Sequence, residues 1–262
     1  MPNWVMNRLV LTGTKANEIA DKILSKDENG KEFMNFNNID RMPDSLNCVC
    51  GSPTIPAAEY YLALLNPDCE LTDESVQKLN KAEYKALLDK VNNLIGERDL
   101  TGYNEHGVYG DDFDTLGGKQ QFIAYGKQIV ENRANYGHST WYEWSNQHWG
   151  VKWNASSSRV SREKDEVEIY FETPWNGVPK VICAIGDMAK DIDVLIEYDY
   201  SEEQAGYLEF HAEIKHGHIL KVKEYEEGSK AATKHYMKIW GYEDDFIYDP
   251  ETDNYISRWD VE

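Results

Sequence analysis

The sequence predicts an α+β protein, and three observations carry that reading. Apolar residues alternate at a period of two near the start of the chain and again from Glu166 onward, as they do in half-buried strands. Segments with apolar residues three and four apart, the spacing of one helix face, follow those strands. Between them, Ser52 to Gly137 carries helix formers and a polar, glycine-rich loop.

Taken in order, Asn3 to Thr12 reads as a strand with Val5, Leu9 and Leu11 on one face, and Gly13 ends it. Thr14 is placed to cap a helix with Ile19, Ala20, Ile23 and Leu24 on one stripe. The turn at Lys26 to Gly30 closes that helix, and Phe33 to Ile39 reads as a second strand. Pro56 to Leu65 is a helix behind an N-terminal proline. Thr72 caps a candidate with Leu79, Ala82, Ala86 and Leu87 in helical spacing, and Gln120 to Arg133 makes another. Glu166 to Thr173 alternates Val167, Ile169 and Phe171 with Glu168, Tyr170 and Glu172. Pro179 opens a helix carrying Val181, Ile182, Ile185 and Met188. Strands follow at Ile192 to Tyr198 and Leu208 to Ile214, and the turn Lys215 to His218 leads into Ile219 to Tyr225 as a hairpin. Ser229 caps a final helix that runs to Trp240. The sum is β-α-β, a helical insertion, then β-α-β with an added hairpin, which is the ferredoxin-like plan around an antiparallel sheet. The expected domains are a sheet domain at 1–45 and 138–226, a helical insertion at 52–137, and a C-terminal helix with an acidic tail at 227–262.

Composition narrows the function classes. Hydrophobic residues at 41% and aromatics at 12% place the chain among globular proteins. No apolar run approaches the ~18 residues of a membrane span. The start, MPNWVMNRLVLTG, lacks the features of a signal peptide, so a cytoplasmic location and no membrane partner are expected. Cys48, Cys50, Cys69 and Cys183 fit neither a zinc spacing nor a redox Cys-x-x-Cys, and reduced thiols are expected. Lys plus Arg number 27 against 47 Asp plus Glu, a formal net charge of -20. That surplus opposes direct contact with a nucleic-acid backbone. It reads as a solubility device, or as a surface that attracts a basic protein partner or imitates the charge spacing of DNA. No Gly-x-Ser-x-Gly, phosphate loop, dinucleotide fingerprint or His-Glu-x-x-His occurs, so no catalytic residue and no cofactor is assigned.

Three segments carry a resemblance: Asn3-Trp4 with Asn7 and Leu9, the run Trp141 to Asn154 (WYEWSNQHWGVKWN), and Phe171 to Asn176 (FETPWN). Their order resembles a family of uncharacterised proteins from phages, conjugative plasmids and bacterial genomes, known for a YubB-like ferredoxin-like C-terminal domain. The likeness extends to a helix after the Thr-Pro-Trp turn, to Tyr198 and Tyr200, and to Gly206-Tyr207. It covers the N-terminal forty residues and roughly Tyr136 to Gly217, not the insertion or the tail beyond Gly241. Where the family has a Ser-Pro-Pro-like turn, this chain has Asn176 to Pro179 (NGVP); Pro179 still presets the helix entry. The resemblance implies fold and provenance, and it brings no activity.

Five of the eight tryptophans fall between Trp141 and Trp175. Two readings stand for them. They pack the insertion onto the sheet, or they line a groove for a peptide, sugar or base, with Trp141, Trp144, Trp149, Lys152, Trp153, Asn154 and Trp175 as ligand-binding candidates. Asp111, Asp112 and Asp114, near His106, are weak candidates for a hard cation and otherwise a solvated turn. His211, His216 and His218 gather at one hairpin, where His211 with Glu209 and Glu213 reads as a solvated sheet face. The tail mixes acids with Phe246, Tyr248, Tyr255 and Trp259, either as a hairpin around Asp249-Pro250 or as a flexible arm. The expected function is a non-enzymatic accessory protein of a mobile element, an interaction module with an acidic surface for a basic partner. The alternative is a ligand-binding or enzymatic protein with a Trp-lined groove.

Overall fold

A computed structural model describes residues 3–91, 93–96, 98–103, 113–114 and 116–260. The chain divides into two compact units, one made of Met1–Arg41 with Ser145–Glu262 and the other of Met42–Trp144. The first unit begins with β1 (Trp4–Thr12) and α1 (Ala16–Ile23). No side chain caps α1; Thr14 is displaced from that role because Gly13, at φ 144°, folds back so that its carbonyl accepts the Ala16 N–H at 2.9 Å. Leu24 leaves the helix and opens β2 (Leu24–Lys26), which pairs with β3 (Glu32–Met34) in a separate two-stranded ribbon. The strand expected over Phe33–Ile39 therefore stops early. The Asn35 side chain accepts the Asn37 N–H at 3.1 Å and turns Phe36–Asn38 into a 3₁₀ helix, a local bond that competes with strand pairing.

The second unit is helical among its described residues: α2 (Thr54–Leu65), α3 (Lys81–Lys90) and α4 (Lys119–Tyr136). Asn80, not Thr72, caps α3, because Asn80 and Glu83 form a reciprocal capping box that satisfies two otherwise unpaired N–H groups. α2 and α4 approach closely at Gly126, where any Cβ would overlap the Ala57 carbonyl. Tyr60, Leu62, Phe122 and Ile129 fill the core of this unit. The next helix, α5 (Trp141–His148), carries the chain from the second unit to the first.

The first unit resumes with β4 (Ser156–Arg162), a strand that its sequence, SSSRVSR, does not advertise because it has one apolar residue. Then come β5 (Glu166–Pro174), α6 (Pro179–Met188), β6 (Leu195–Glu202), β7 (Glu209–Lys215) and β8 (His218–Glu224). Ser229 caps α7 (Lys230–Trp240) by accepting the Ala232 N–H at 3.1 Å, as its sequence predicts. The tail forms a hairpin of β9 (Phe246–Asp249) and β10 (Asn254–Ser257). The main sheet has six strands in the order β4-β5-β1-β6-β7-β8, and every neighbouring pair is antiparallel. The fold is α+β. No described helix is long and apolar enough to cross a membrane.

One sheet face is apolar. Leu9, Leu11, Ile169, Phe171, Ile196 and Ile214 lie there against Ile19 and Ile23 of α1 and Val181, Ile182 and Ile185 of α6, all buried. A polar lock sits inside this layer. The fully buried Asn7 donates to Thr173 Oγ1 at 2.7 Å and accepts from the Tyr198 hydroxyl at 2.6 Å; that hydroxyl accepts the Val178 N–H at 2.7 Å, just ahead of α6. Three strands and a helix entry are thus tied through the Asn7 and Tyr198 side chains. Replacing Asn7 leaves buried groups without partners, at about 1–3 kcal/mol each. Asn7→Leu is expected to lower the urea midpoint by the equivalent of about 3 kcal/mol. Because Asn7 and Tyr198 share one bond, Asn7→Leu with Tyr198→Phe should cost less than the sum of the single variants.

Candidate functional site

The second face of the same sheet is charged, and α7 covers it. That helix buries Ala232, Thr233, His235, Tyr236, Met237 and Ile239, and a stripe of this kind must dock somewhere. The face that receives it presents Arg8 from β1, Asp199 and Ser201 from β6, and Glu209 and His211 from β7. The sequence expectation for His211 is corrected here. Its side chain points to the predicted face, but that face is roofed rather than solvated, and Glu209 is 3% exposed beneath the helix. His216 and His218 stay exposed at the turn.

The roofed groups form one connected network. Arg8 donates to Glu168 at 2.6 Å and to Asp199 at 3.1 Å. Asp199 Oδ1 receives both His211 Nδ1 at 2.7 Å and His235 Nε2 at 3.1 Å. His235 Nδ1 lies 2.5 Å from Glu209 Oε2, while Glu209 Oε1 accepts the Ser201 hydroxyl at 2.8 Å. Ser201 in turn accepts the Trp240 indole N–H at 3.1 Å, so the middle and the C-terminal end of α7 are held to the sheet. His211 Nε2 reaches Glu213 at 3.1 Å, and Lys221 donates to the same carboxylate at 2.8 Å. Burial alone would raise the Asp199 carboxyl, but hydrogen bonds from His235 and His211 outweigh it and hold it at about 2. Burial alone would lower His235, but its bonds to Asp199 and Glu209 raise it above 6.5. Both His235 nitrogens face carboxyl oxygens, so the doubly protonated ring, the form its raised pKa favours, donates to both, while burial raises the Glu209 carboxyl.

Beside this network, between α7 and the outer strands, lies a cleft of about 630 Å³. Lys221, Lys223, Lys234 and Lys238 line it together with His211, His235 and Tyr225; its acids are Asp199 and Glu243. Lys223 Nζ sits 3.8 Å from the centre of the Tyr225 ring, and that ring lies over His235 with centroids 4.5 Å apart. In a chain of net charge -20, this is a concave, cationic pocket with buried ionisable walls.

The tryptophan-region candidates divide between the two units, and within the first unit they divide between core and surface. Trp149 belongs to the core: its indole donates to the Asp40 carbonyl at 3.0 Å and its ring packs edge-on to Phe36, which meets Phe171. Asn154 spends its carbonyl on the Phe36 and Ala155 N–H groups and its amide on Asn35, fixing the chain around β3. Trp144 is buried and Trp141 half-buried in the second unit, Trp141 lying against Tyr142. Lys152, Trp153 and Trp175 do meet at the surface. Lys152 Nζ is 4.7 Å from the Trp153 ring centre and 5.7 Å from that of Trp175, whose backbone sits at φ 63°. Asp111, Asp112 and His106 lie outside the described residues, and Asp114 is exposed. Among the described residues, no group of three or more His, Cys, Asp or Glu is placed to hold a metal ion.

Sequence reading missed Asp199, His235 and the lysine cleft. The available signal was the amphipathic α7 itself, whose buried stripe needed a second sheet face to cover.

No family model and no curated protein matches this chain. Among solved structures it is similar to protein api92 from Yersinia pseudotuberculosis (family model DUF1281), at 12% identity over 87% of this chain and 100% of that one, with a TM-score of 0.36.

The network sets a pH dependence. His235 is raised above 6.5 in the fold, so its stabilisation is complete below about pH 6.5 and is lost as the pH climbs through the raised value. Asp199 is depressed, so its contribution is present above 3.8 and is lost as the pH falls toward about 2. Melting temperature measured across pH should fall on both flanks. His235→Leu should flatten the alkaline flank and cost about 3 kcal/mol, because it removes the partner that Asp199 and Glu209 share and leaves Glu209 with the Ser201 hydroxyl.

Proposed function

We propose that the protein is a non-enzymatic interaction module that grips an anionic group of its partner in the cleft between α7 and the outer strands. One observation carries this: four lysines and two histidines converge on one concavity of a chain whose net charge is -20. Evenly spread surface charge would give no such concentration, and the four lysines outnumber the two acids, Asp199 and Glu243, that line the cleft with them. The histidines are committed to Asp199, Glu209 and Glu213, so they shape the wall rather than serve as free acids or bases. Provenance from a mobile element, which the family resemblance implies, and the accessory role read with it belong to the same proposal. So does the ferredoxin-like plan; the order β4-β5-β1-β6, with the β7-β8 hairpin added at the edge, supports it.

A second reading concerns the acid-rich exterior, which suits a basic protein partner. It rests on the surplus of 47 acidic over 27 basic residues and on the hairpin tail with Glu243, Asp244, Asp245, Asp249, Glu251 and Asp253. The two readings separate in one set of measurements. Citrate or inorganic phosphate should raise the melting temperature of the full chain, and Lys234→Glu with Lys238→Glu should abolish the rise. An unchanged rise in that double variant, or no rise with either anion, removes the cleft reading. Polylysine binding that weakens with salt and vanishes when the tail acids are reversed would favour the exterior instead.

A further inference from the structure

β8 ends the six-stranded sheet, and all seven of its residues are exposed. The strand at the other edge, β4, is partly covered. The Tyr225 N–H donates to the Glu209 carbonyl at 3.1 Å. By the alternation of an antiparallel ladder, Lys223 and Lys221 then turn their main-chain groups toward β7, while Val222 and Glu224 turn theirs to the open side. Unpaired main-chain groups on an exposed edge are a template for another strand.

Side chains on β8 sort by face. Lys221 and Lys223 line the cleft under α7. Val222, beside Ala212 on the other face, is 52% exposed, and Ile219 is 58% exposed. A register shift leaves Leu220 without a partner on β7, so regular pairing runs from Lys221 toward the C-terminal end. β7 already shows what satisfies this pattern: Glu213 bonds Lys221 at 2.8 Å on one face and Ala212 meets Val222 on the other. The open side of β8 repeats that demand with nothing paired to it among the described residues.

We propose that β8 captures an extended segment of a partner protein in which acidic and apolar residues alternate. Its main chain pairs with Val222 and Glu224, its carboxylates enter the cleft beside Lys221, Lys223 and Lys234, and its apolar residues cover Val222. The proposal rests on the cleft reading and adds the strand to it. A second copy of this chain is a poor occupant, because β8 paired antiparallel with itself sets lysine against lysine around Lys221.

The test uses the full chain and a fluorescein-labelled peptide of about eight residues alternating valine and glutamate. Two controls accompany it: a block peptide of the same composition, and alternating peptides N-methylated along one or the other main-chain edge. Anisotropy should show saturable binding of the alternating peptide and binding about tenfold or more weaker for the block peptide. N-methylation of one edge alone should abolish binding, which requires no change to the protein. Val222→Pro removes one outward N–H and no ladder bond to β7, and should weaken binding about tenfold or more without changing the melting temperature. Equal binding of alternating, block and N-methylated peptides, lost in Lys234→Glu, would overturn strand capture and leave the cleft reading standing. No binding of any peptide together with no response to citrate or phosphate would overturn both.

Discussion

Asp199 is the point on which the first unit turns. It is 2% exposed, sits on the central part of the sheet, and takes bonds from Arg8, His211 and His235 at once. A carboxylate so placed, if unpaired, costs several kcal/mol, and breaking a buried pair is more damaging than never having made one. The requirement dictates the rest. A donor must come from β1, another from β7, and a third from α7, so the helix has one angle and one depth at which every member is satisfied. Trp240 on Ser201 fixes the far end of the same helix. An apolar interface would tolerate sliding; this one does not.

The consequence is a sheet with two unlike faces. The apolar one is closed by α1 and α6 with the Asn7, Thr173 and Tyr198 lock inside it. The charged one is closed by a single helix, which is too narrow for six strands. Its stripe lies over β1 and β6 and reaches β7, so β8 is left overhanging and the space between its lysines and those of α7 becomes the cleft. The site is thus a by-product of how much face one helix can cover.

Much of this was legible residue by residue, and the failures have specific causes. β1, β5, α6 and β7 show their period plainly because one face of each meets apolar side chains, and the turn at Lys215 to His218 marks the hairpin into β8. β4 shows none, since an edge strand of serine and arginine is held by its neighbour's ladder rather than by burial. Phe33 to Ile39 alternates acceptably, yet the Asn35 side chain wins locally. Glu209, His211 and Glu213 read as solvated because alternation reports which residues share a face and says nothing about what lies over it. The tryptophan run divides for a related reason: Trp149 turns toward Phe36, whereas Trp153 and Trp175 stay 40% and 49% exposed, and spacing alone cannot separate them.

Charge distribution connects these levels. A chain at -20 gains solubility from its exterior, and each lysine placed among its acids would ordinarily be spent on a neighbouring carboxylate. Lys221 follows that rule with Glu213, and Lys223 rests on Tyr225. Lysine on a sheet edge also guards against indiscriminate pairing, because it repels basic strands and tolerates no apolar one on its own face. The same two residues therefore serve exclusion and selection together. On the strand-capture proposal they disfavour a second copy of the chain at this edge and favour a strand that brings carboxylates to the cleft and an apolar side chain to Val222. Specificity of that kind comes from the repulsive element as much as from the attractive one, and here both are written on alternate residues of one strand.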